Sequence, residues 1–384
     1  MEVVEDTAIG EAELCAWAAG ALVAAGTREA DAAQIARCLV DVDLRGVKSH
    51  GTRQLPGYIQ LLLAGEINPA PEIRTLRESD SSIRLDGGGG AGYLAAAKAV
   101  DAACAKARAC GLALASTCNH GHTGSAGIWA RRALGHGLIC WCVAGGTAPL
   151  ANIQQKLEDP DATVWNAMSA PPMAFAVPSD EGGPPLVLDM NANQFSSAGY
   201  YEGELAEKAL VRQRTHAALA PAGCVSVPRA PCAQASGAVA RVVADQSVSL
   251  AWQAAGFGKS VFGSLGLRFV STLLGGELSA TLPEGTREWS AATRGLVFVA
   301  IDPDLIGDGD AFRASVRQII DESLRLPPMR GTDEAALPGT MEYRREHERR
   351  AGGIPMPEDH REMLEGVAAE LGVAPPPWAA RPRL

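Results

Sequence analysis

One stretch of the sequence gathers the residue types that acid–base chemistry on a small acid would need. Residues 43–58 read DLRGVKSHGTRQLPGY and contain Ser49, His50 and Arg53. A histidine can exchange a proton near neutral pH, and an arginine can bind a carboxylate through two parallel hydrogen bonds. The stretch therefore suggests a site that holds a small carboxylic acid and adds or removes a proton. The alternative is a glycine-rich helix exit whose polar side chains face water.

A helical pattern leads directly into this stretch. Apolar residues recur at steps of three and four over residues 8–45, and Thr27 is a candidate N-cap for the second helix of this segment. His50 is therefore expected just past a helix end. Further helices are predicted at 58–64, 93–110, 125–134, 206–214, 264–276, 311–324, 338–353 and 357–371, and strands at 83–86, 112–116, 138–143, 174–177, 186–188 and 297–301.

A glycine-rich sequence follows the first predicted strand. Gly87 to Gly92 read GGGGAG and match the GxGxxG pattern of dinucleotide-binding Rossmann folds, between a strand and a helix. That fold also places an acidic residue at the end of the next strand, whereas this strand is followed by Thr117 and Cys118. Two interpretations stay open at this point, a Rossmann fingerprint or a turn that brings a helix close to a strand.

Composition limits the classes of protein to consider. The chain has 384 residues, of which 47% are hydrophobic, and a formal net charge of −10, so a folded protein of about two domains is expected and nonspecific nucleic-acid binding is not. The sequence shows neither a signal-peptide pattern nor an apolar run of membrane-spanning length. The nine irregularly spaced cysteines favour reduced thiols in the cytoplasm. No metal site is predicted, because the closest cluster, Cys118, His120 and His122, lacks a fourth ligand.

Several separated stretches resemble one family. The strongest run covers residues 43–69 and includes DLRGV, SHG, Arg53, LP, Tyr58 and AGEINP. Weaker matches lie at 122–124, 187–190, 273–278, 298–303, 338–339 and 353–355. Together they resemble the malate/L-lactate dehydrogenase family, which has the L-sulfolactate dehydrogenase-like fold. Its relatives include ureidoglycolate dehydrogenase and Δ1-piperideine-2-carboxylate reductase.

The resemblance implies an α/β fold that is not a Rossmann fold. A mostly antiparallel sheet flanked by helices would form the cofactor-binding domain at residues 76–309. Residues 1–75 and 310–384 would combine into a helical domain for substrate binding and dimerisation. The GGGGAG sequence would then be a structural turn, and the protein would be a homodimer.

The same resemblance implies a reaction. An NAD(P)H-dependent oxidoreductase of this family would transfer hydride to a 2-oxo acid or a cyclic 2-imino acid, with His50 as proton donor. By similarity to the reductases, Ser49 and Asp189 would form a relay around His50, and Arg53 would bind the substrate carboxylate. His122 would contact substrate or cofactor, although in some relatives this histidine is the proposed acid/base.

The cofactor half departs from the family pattern. The expected cofactor-binding residues are His122, Thr123, Gly124, Ser125, Asn191 and Asn193, for NADH or NADPH. However, Gly145-Gly146 replace a Thr-Asn pair, and Asp189 to Asn193 read Asp-Met-Asn-Ala-Asn where relatives have Asp-Met-Ala-Thr-Ser. Asn191 and Asn193 could replace some of the lost donors. The alternative is a relative that has lost redox cofactor use and acts as a cofactor-free acid/base enzyme or a carboxylate-binding protein.

Overall fold

The fold is described from a computed structural model of the chain. The structure describes residues 7–146, 149–159, 171–191, 257–279, 288–328 and 333–380. The chain divides into two compact units, the first made of residues 1–150, 171–190 and 271–384, the second of residues 151–170 and 191–270. In the second unit, the described residues are 151–159, Asn191 and 257–270, which are largely helical.

Helices and strands alternate through the described residues. The strands are β1 (Thr7–Ile9), β2 (Arg74–Ser79), β3 (Ser82–Asp86), β4 (Leu112–His120), β5 (Ile139–Gly146), β6 (Pro172–Val177), β7 (Leu186–Asn191), β8 (Arg294–Ile301), β9 (Ile354–Pro355) and β10 (Ala379–Ala380). The helices are α1 (Glu11–Ala24), α2 (Glu29–Arg45), α3 (Leu55–Leu63), α4 (Gly92–Cys110), α5 (Ala126–Leu134), α6 (Pro149–Lys156), α7 (Phe257–Thr272), α8 (Pro303–Ile306), α9 (Gly309–Leu324), α10 (Thr340–Gly352) and α11 (Glu358–Leu371). A 3-10 turn spans Thr52–Gln54, and a π-helix spans Leu273–Leu278.

Seven strands form one large sheet in the order β2-β3-β4-β8-β5-β6-β7. Among the strand pairs whose register is described, β3–β4 is parallel, and β2–β3, β4–β8, β8–β5 and β5–β6 are antiparallel. A Rossmann domain requires a mostly parallel sheet. The antiparallel pairing therefore confirms the fold expected from the family resemblance and shows that the Rossmann interpretation is wrong.

The two ends of the chain meet in a small second sheet. β1 lies between β10 and β9, with Thr7 opposite Ala380 and Ile9 opposite Ile354. This pairing brings α10 against α2, and α11 against α1 and α3. The C-terminal helices thus border the 43–58 stretch. The domain boundaries at 75/76 and 309/310 stay a prediction.

The core of the large sheet combines many buried alanines with a few large side chains. α4 packs on β3, β4 and β8, and α5 packs on β5 and β6. Alanines such as Ala113 and Ala115 on β4 are buried and let α4 approach closely. Trp129 of α5 is fully buried, and its Nε1–H donates to the Thr123 carbonyl at 3.0 Å. This hydrogen bond ties the loop before α5 to the core.

The GGGGAG turn holds the loop that follows β4. The Gly87 and Gly89 N–H groups donate to the carbonyls of Cys118 and Asn119, each at 2.9 Å. The Gly92 N–H donates to the backbone carbonyl of His122 at 3.1 Å. Gly89 has φ +78°, and a Cβ there would lie 2.1 Å from Trp289. Protein atoms therefore fill the space that a phosphate would occupy in a Rossmann fold. The turn is structural, as the resemblance implied.

Some local predictions differ from the structure. The helical segment divides into α1 and α2, whose N-cap is Arg28, so the prediction that Thr27 caps α2 is wrong. Thr27 Oγ1 is instead buried without a partner among the residues described. The short strands β1, β2, β9 and β10 are missing from the sequence prediction, because two- to six-residue segments carry little periodicity. The predicted helix at 206–214 lies outside the described residues. In the described part, no helix is long and apolar enough to cross a membrane.

Candidate active site

His50 lies in the turn that follows α2. Gly46 ends that helix with φ +78°, a left-handed conformation that favours glycine, and the chain then turns toward α3. Ser49 Oγ lies 2.7 Å from His50 Nδ1. A serine hydroxyl can donate to an unprotonated imidazole nitrogen, which leaves the proton of neutral His50 on Nε2. Nε2 is then the atom available for proton exchange with a bound molecule.

The charge state of His50 depends on two opposing influences. Half-burial lowers the pKa of His50 below 6.5, because a charged imidazolium loses hydration there. The negative charge of Asp189 raises the pKa and so favours the protonated form. The pKa of His50 therefore lies below that of a free histidine, and Asp189 limits the fall. Such a balance suits a general acid/base.

His122 faces His50 from the loop after β4. The two imidazole centroids are 5.7 Å apart, and the ring planes are inclined by 36°. Tyr58 Oη lies 2.7 Å from His122 Nδ1. Burial, together with the positive charges of nearby His50, Arg294 and His120, lowers the pKa of His122 to about 4. His122 is thus a neutral imidazole at physiological pH, whereas His50 has the carboxylate that supports a positive charge.

Asp189 reaches the site from the edge strand β7. The strand continues to Asn191, so Asp189 lies within it rather than just beyond the predicted end at residue 188. A Cβ on Gly127 would lie 2.4 Å from Asp189 Oδ2 and 2.5 Å from Arg131 Nη1. Gly127 therefore allows both charged side chains to lie against α5. The Asp189 carboxylate thus lies near the Arg131 guanidinium, and its negative charge also raises the pKa of His50.

Arg53 has a different immediate partner. Its Nη1 lies 2.7 Å from Asp359 Oδ2 at the start of α11. The hydrogen bond from Arg53 lowers the pKa of the Asp359 carboxyl. In the described part of the chain, no hydrogen bond or ion pair joins Arg53 to Ser49, His50 or Asp189. The structure thus brings Ser49, His50, His122 and Asp189 together and pairs Arg53 with a carboxylate of the protein.

A buried network that was not predicted from the sequence holds this segment in place. The Asp43 carboxylate accepts hydrogen bonds from the Thr52 N–H at 2.9 Å and from the Thr52 hydroxyl at 2.7 Å. Since that hydroxyl proton goes to Asp43, the His360 Nε2–H at 3.0 Å donates to Thr52 Oγ1. Burial raises the pKa of Asp43 to about 6, and both Thr52 hydrogen bonds oppose the rise. The network joins α2, the 3-10 turn and α11 around residues 49–53.

The predicted cofactor residues lie partly in the same loop. Gly124 has φ +73°, and Thr123 and Ser125 are buried. Ser125 is the N-cap of α5, yet its Oγ is buried and makes no hydrogen bond with any described residue. An unpaired buried hydroxyl at the N-terminus of a helix fits a polar or anionic part of a nicotinamide cofactor. Asn191 is exposed at the end of β7, and Asn193 lies outside the described residues.

Comparisons with known proteins agree with this fold. The chain matches the family model described as malate/L-lactate dehydrogenase over residues 9–365. It is 25% identical to the L-sulfolactate dehydrogenase of Methanocaldococcus jannaschii over 91% of this chain and 92% of that protein. The malate dehydrogenase structure from Pyrococcus horikoshii OT3 covers 98% of this chain and 99% of its own, with a TM-score of 0.71 and 22% identity.

The Δ1-piperideine-2-carboxylate reductase structure from Pseudomonas syringae pvar. tomato shares the fold, with a TM-score of 0.62, 19% identity and coverage of 94% of this chain and 99% of its own. These structural likenesses define a non-Rossmann dehydrogenase fold. The match over residues 9–365 shows that the chain belongs to the malate/L-lactate dehydrogenase family. It is therefore an oxidoreductase of the NAD(P)-dependent dehydrogenase class.

Proposed function

We propose that this dehydrogenase reduces a 2-oxo acid or a cyclic 2-imino acid with NADH or NADPH, and that His50 donates the proton. The observation that carries the proposal is the set of contacts around His50, with Ser49 on Nδ1 and the charge of Asp189 favouring the imidazolium. Of the two facing histidines, His50 is thus the better proton carrier, since the surroundings of His122 oppose its protonation.

Each side chain has a distinct role in this scheme. The bound cofactor would supply a hydride to the carbonyl or imine carbon. His50 donates its Nε2 proton to the oxygen or nitrogen on which negative charge develops. Ser49 orients the imidazole, and Asp189 stabilises its charged form. The His122 ring lines the same space, and Ser125 would bind the cofactor.

Arg53 is proposed to bind the substrate carboxylate. A guanidinium and a carboxylate form two parallel hydrogen bonds, which fix the reacting carbon as well as hold it. In the structure, the Arg53 guanidinium is paired with the carboxylate of Asp359. A substrate carboxylate would therefore take the place of Asp359, whose side chain is 68% exposed and can return to water.

The proposal is tested first by cofactor binding and then by turnover. Each of NADH and NADPH is added to the protein, and the melting temperature is measured. A ligand at 100 times its Kd stabilises by about 2.7 kcal/mol, which is a shift of several degrees. A panel of 2-oxo acids corresponding to lactate, malate and 3-sulfolactate, together with Δ1-piperideine-2-carboxylate, is then screened for cofactor oxidation.

The outcomes separate the two functions that the sequence left open. Binding of either cofactor with oxidation by a panel member supports the proposed reductase. No melting shift with millimolar NADH or NADPH would contradict it and favour the alternative of a cofactor-free acid/base enzyme or carboxylate-binding protein. In that case, a shift with the panel acids alone would identify the carboxylate site.

A further inference from the structure

A chain of two tyrosines runs from the core to His122. Tyr93, at the start of α4, is fully buried, and its Oη lies 3.0 Å from Tyr58 Oη. Tyr58 is 7% exposed, and its Oη also contacts His122 Nδ1 at 2.7 Å. The three polar atoms thus form one continuous hydrogen-bonded relay, Tyr93–Tyr58–His122. Sequence analysis assigned neither tyrosine a role in the site.

The burial of Tyr93 fixes the direction of the relay. If the Tyr58 hydroxyl donated to Tyr93, the Tyr93 O–H would need another acceptor, and none is present in the part of the chain that the structure describes. A buried, unpaired hydroxyl is costly. The Tyr93 O–H therefore donates to Tyr58 Oη, and the Tyr58 O–H donates to His122 Nδ1.

The loop that carries His122 closes over the buried end of the relay. A Cβ on Gly124 would lie 2.6 Å from Tyr93 Oη, and φ at Gly124 is +73°. Glycine at this position lets the backbone pass directly over the phenol oxygen. The loop and the relay are therefore packed as one unit, and the contact holds His122 beside His50.

From this geometry, we infer that Tyr58, with Tyr93 behind it, is a positioning residue that holds His122 as a neutral imidazole with its proton on Nε2. Nδ1 accepts from Tyr58, so Nε2–H is a hydrogen-bond donor on the half-buried edge of the ring. It would donate to the same substrate oxygen or nitrogen that receives a proton from His50. The inference extends the proposed function and rests on it for the identity of that substrate atom.

The surroundings of His122 favour this neutral donor. The groups that act on its charge are His50, Arg294 and His120, each of which disfavours a second positive charge there. Tyr58 and Tyr93 are buried phenols whose pKa values burial raises above 10, so both keep their protons and the relay keeps its direction. A neutral imidazole donor stabilises developing negative charge without itself giving up a proton.

The test is the tautomer of His122 in the free enzyme, read from long-range ¹H–¹⁵N NMR correlations of histidine-labelled full-length protein. His122→Gln assigns the signals. The expected spectrum shows a single Nε2–H tautomer with Nδ1 as a hydrogen-bond acceptor. Tyr58→Phe should shift the Nδ1 signal toward that of an unbonded nitrogen. In contrast, Tyr93→Phe should leave the tautomer unchanged, because Tyr58 still donates.

An Nδ1–H tautomer in the wild type would overturn the inference, since Tyr58 would then accept from His122. A switch of tautomer in Tyr93→Phe would also overturn it, since Tyr58 would then not hold the tautomer by itself. An unchanged Nδ1 signal in Tyr58→Phe would do the same. Because no cofactor or substrate is present, these outcomes are independent of the proposed reaction. In kinetic assays, Tyr58→Phe should lower kcat about tenfold with an unchanged cofactor Kd.

Discussion

At the scale of single residues, the account depends on the difference between two facing histidines. His50 has Ser49 on Nδ1 and the charge of Asp189 nearby, whereas His122 has Tyr58 on Nδ1 and cationic groups nearby. The same side-chain type is thereby suited to two tasks, proton transfer and hydrogen-bond donation. The family resemblance implied the partners of His50, whereas the contact between Tyr58 and His122 is not visible in the sequence, because it joins elements far apart along the chain.

The pH profile should reveal the influence of Asp189 on His50. In the reductive direction, the protonated imidazole is the donor, so kcat/KM should fall as pH rises through the His50 pKa, which lies below 6.5. Asp189→Asn removes the charge that favours the imidazolium, so the fall in kcat/KM should move to lower pH. Asp180→Asn, at an exposed carboxylate, is the matched control. If kcat/KM of Asp189→Asn fell over the same pH range as that of the wild type, Asp189 would not support the charge on His50.

Arg53 and Asp359 should have opposite effects on substrate affinity. Arg53→Gln should raise KM about tenfold to a hundredfold, because about 1.5–3 kcal/mol of charge-assisted hydrogen bonding is lost. Arg53→Lys should recover part of the lost affinity, since lysine keeps the positive charge but cannot form two parallel hydrogen bonds to a carboxylate. Asp359→Asn should lower KM, because Arg53 loses its present partner. Steady-state kinetics with one panel acid measure all three, and an unchanged KM in Arg53→Gln would remove Arg53 from the site.

At the scale of elements, the segment between α2 and α3 is held by a buried carboxylate. Asp43 accepts two hydrogen bonds from Thr52, and Gly51 lies directly against it, since a Cβ there would be 1.9 Å from Asp43 Oδ1. Sequence reasoning placed His50 correctly past the end of a helix. It could not identify Asp43 as the anchor, because the contact spans nine residues and depends on the turn between them.

A pair of glycine substitutions tests this anchor. Gly51→Ala forces Asp43 or the turn to move, so we expect a loss of about 1–3 kcal/mol in the free energy of unfolding and a lower kcat. Gly57→Ala is the matched control, since Gly57 lies in α3 and no atom of the described residues would come within 4 Å of an added Cβ. There we expect unchanged activity and up to about 1 kcal/mol of stabilisation. Denaturant unfolding measures both, and equal effects would contradict the anchoring role.

At the scale of the whole molecule, topology decided what sequence patterns could not. The strands and helices of the large sheet were mostly predicted within a few residues, but their order, β2-β3-β4-β8-β5-β6-β7, follows from long-range pairing. The GGGGAG turn shows the difficulty best. Its local pattern fits a Rossmann fold, whereas Trp289 and the β4 loop fill the space around it. Only the resemblance of several distant stretches indicated the correct fold.

Acid sensitivity of the fold should depend on buried neutral histidines. His120 is fully buried between Thr117 Oγ1 and the Gly121 carbonyl, each 2.7 Å away, and burial lowers its pKa to about 4. Below pH 6.5, this histidine is protonated in the unfolded chain but stays neutral in the folded chain. The free energy of unfolding therefore decreases as the pH falls toward 4, by up to about 3 kcal/mol from His120. Burial raises the pKa of Asp43 to about 6, so the folded chain binds a proton there more readily than the unfolded chain. Over part of this pH range, Asp43 therefore increases stability as the pH falls.

His120→Asn should be less stable at neutral pH but lose less stability between pH 6.5 and 4. His136→Asn, which replaces an exposed histidine, is the matched control. Denaturant unfolding at a series of pH values makes the comparison. The same acid slope in all three proteins would show that His120 titrates normally in the fold.

The central claim is that His50 supplies the proton that accompanies hydride transfer. Its most direct test is the single-turnover rate of cofactor oxidation in His50→Asn, measured with saturating 2-oxo or imino acid and paired with a cofactor binding titration of the same variant. We expect a rate at least about a hundredfold below wild type with an unchanged cofactor Kd. A wild-type rate in His50→Asn would contradict it and leave His122 as the proton donor.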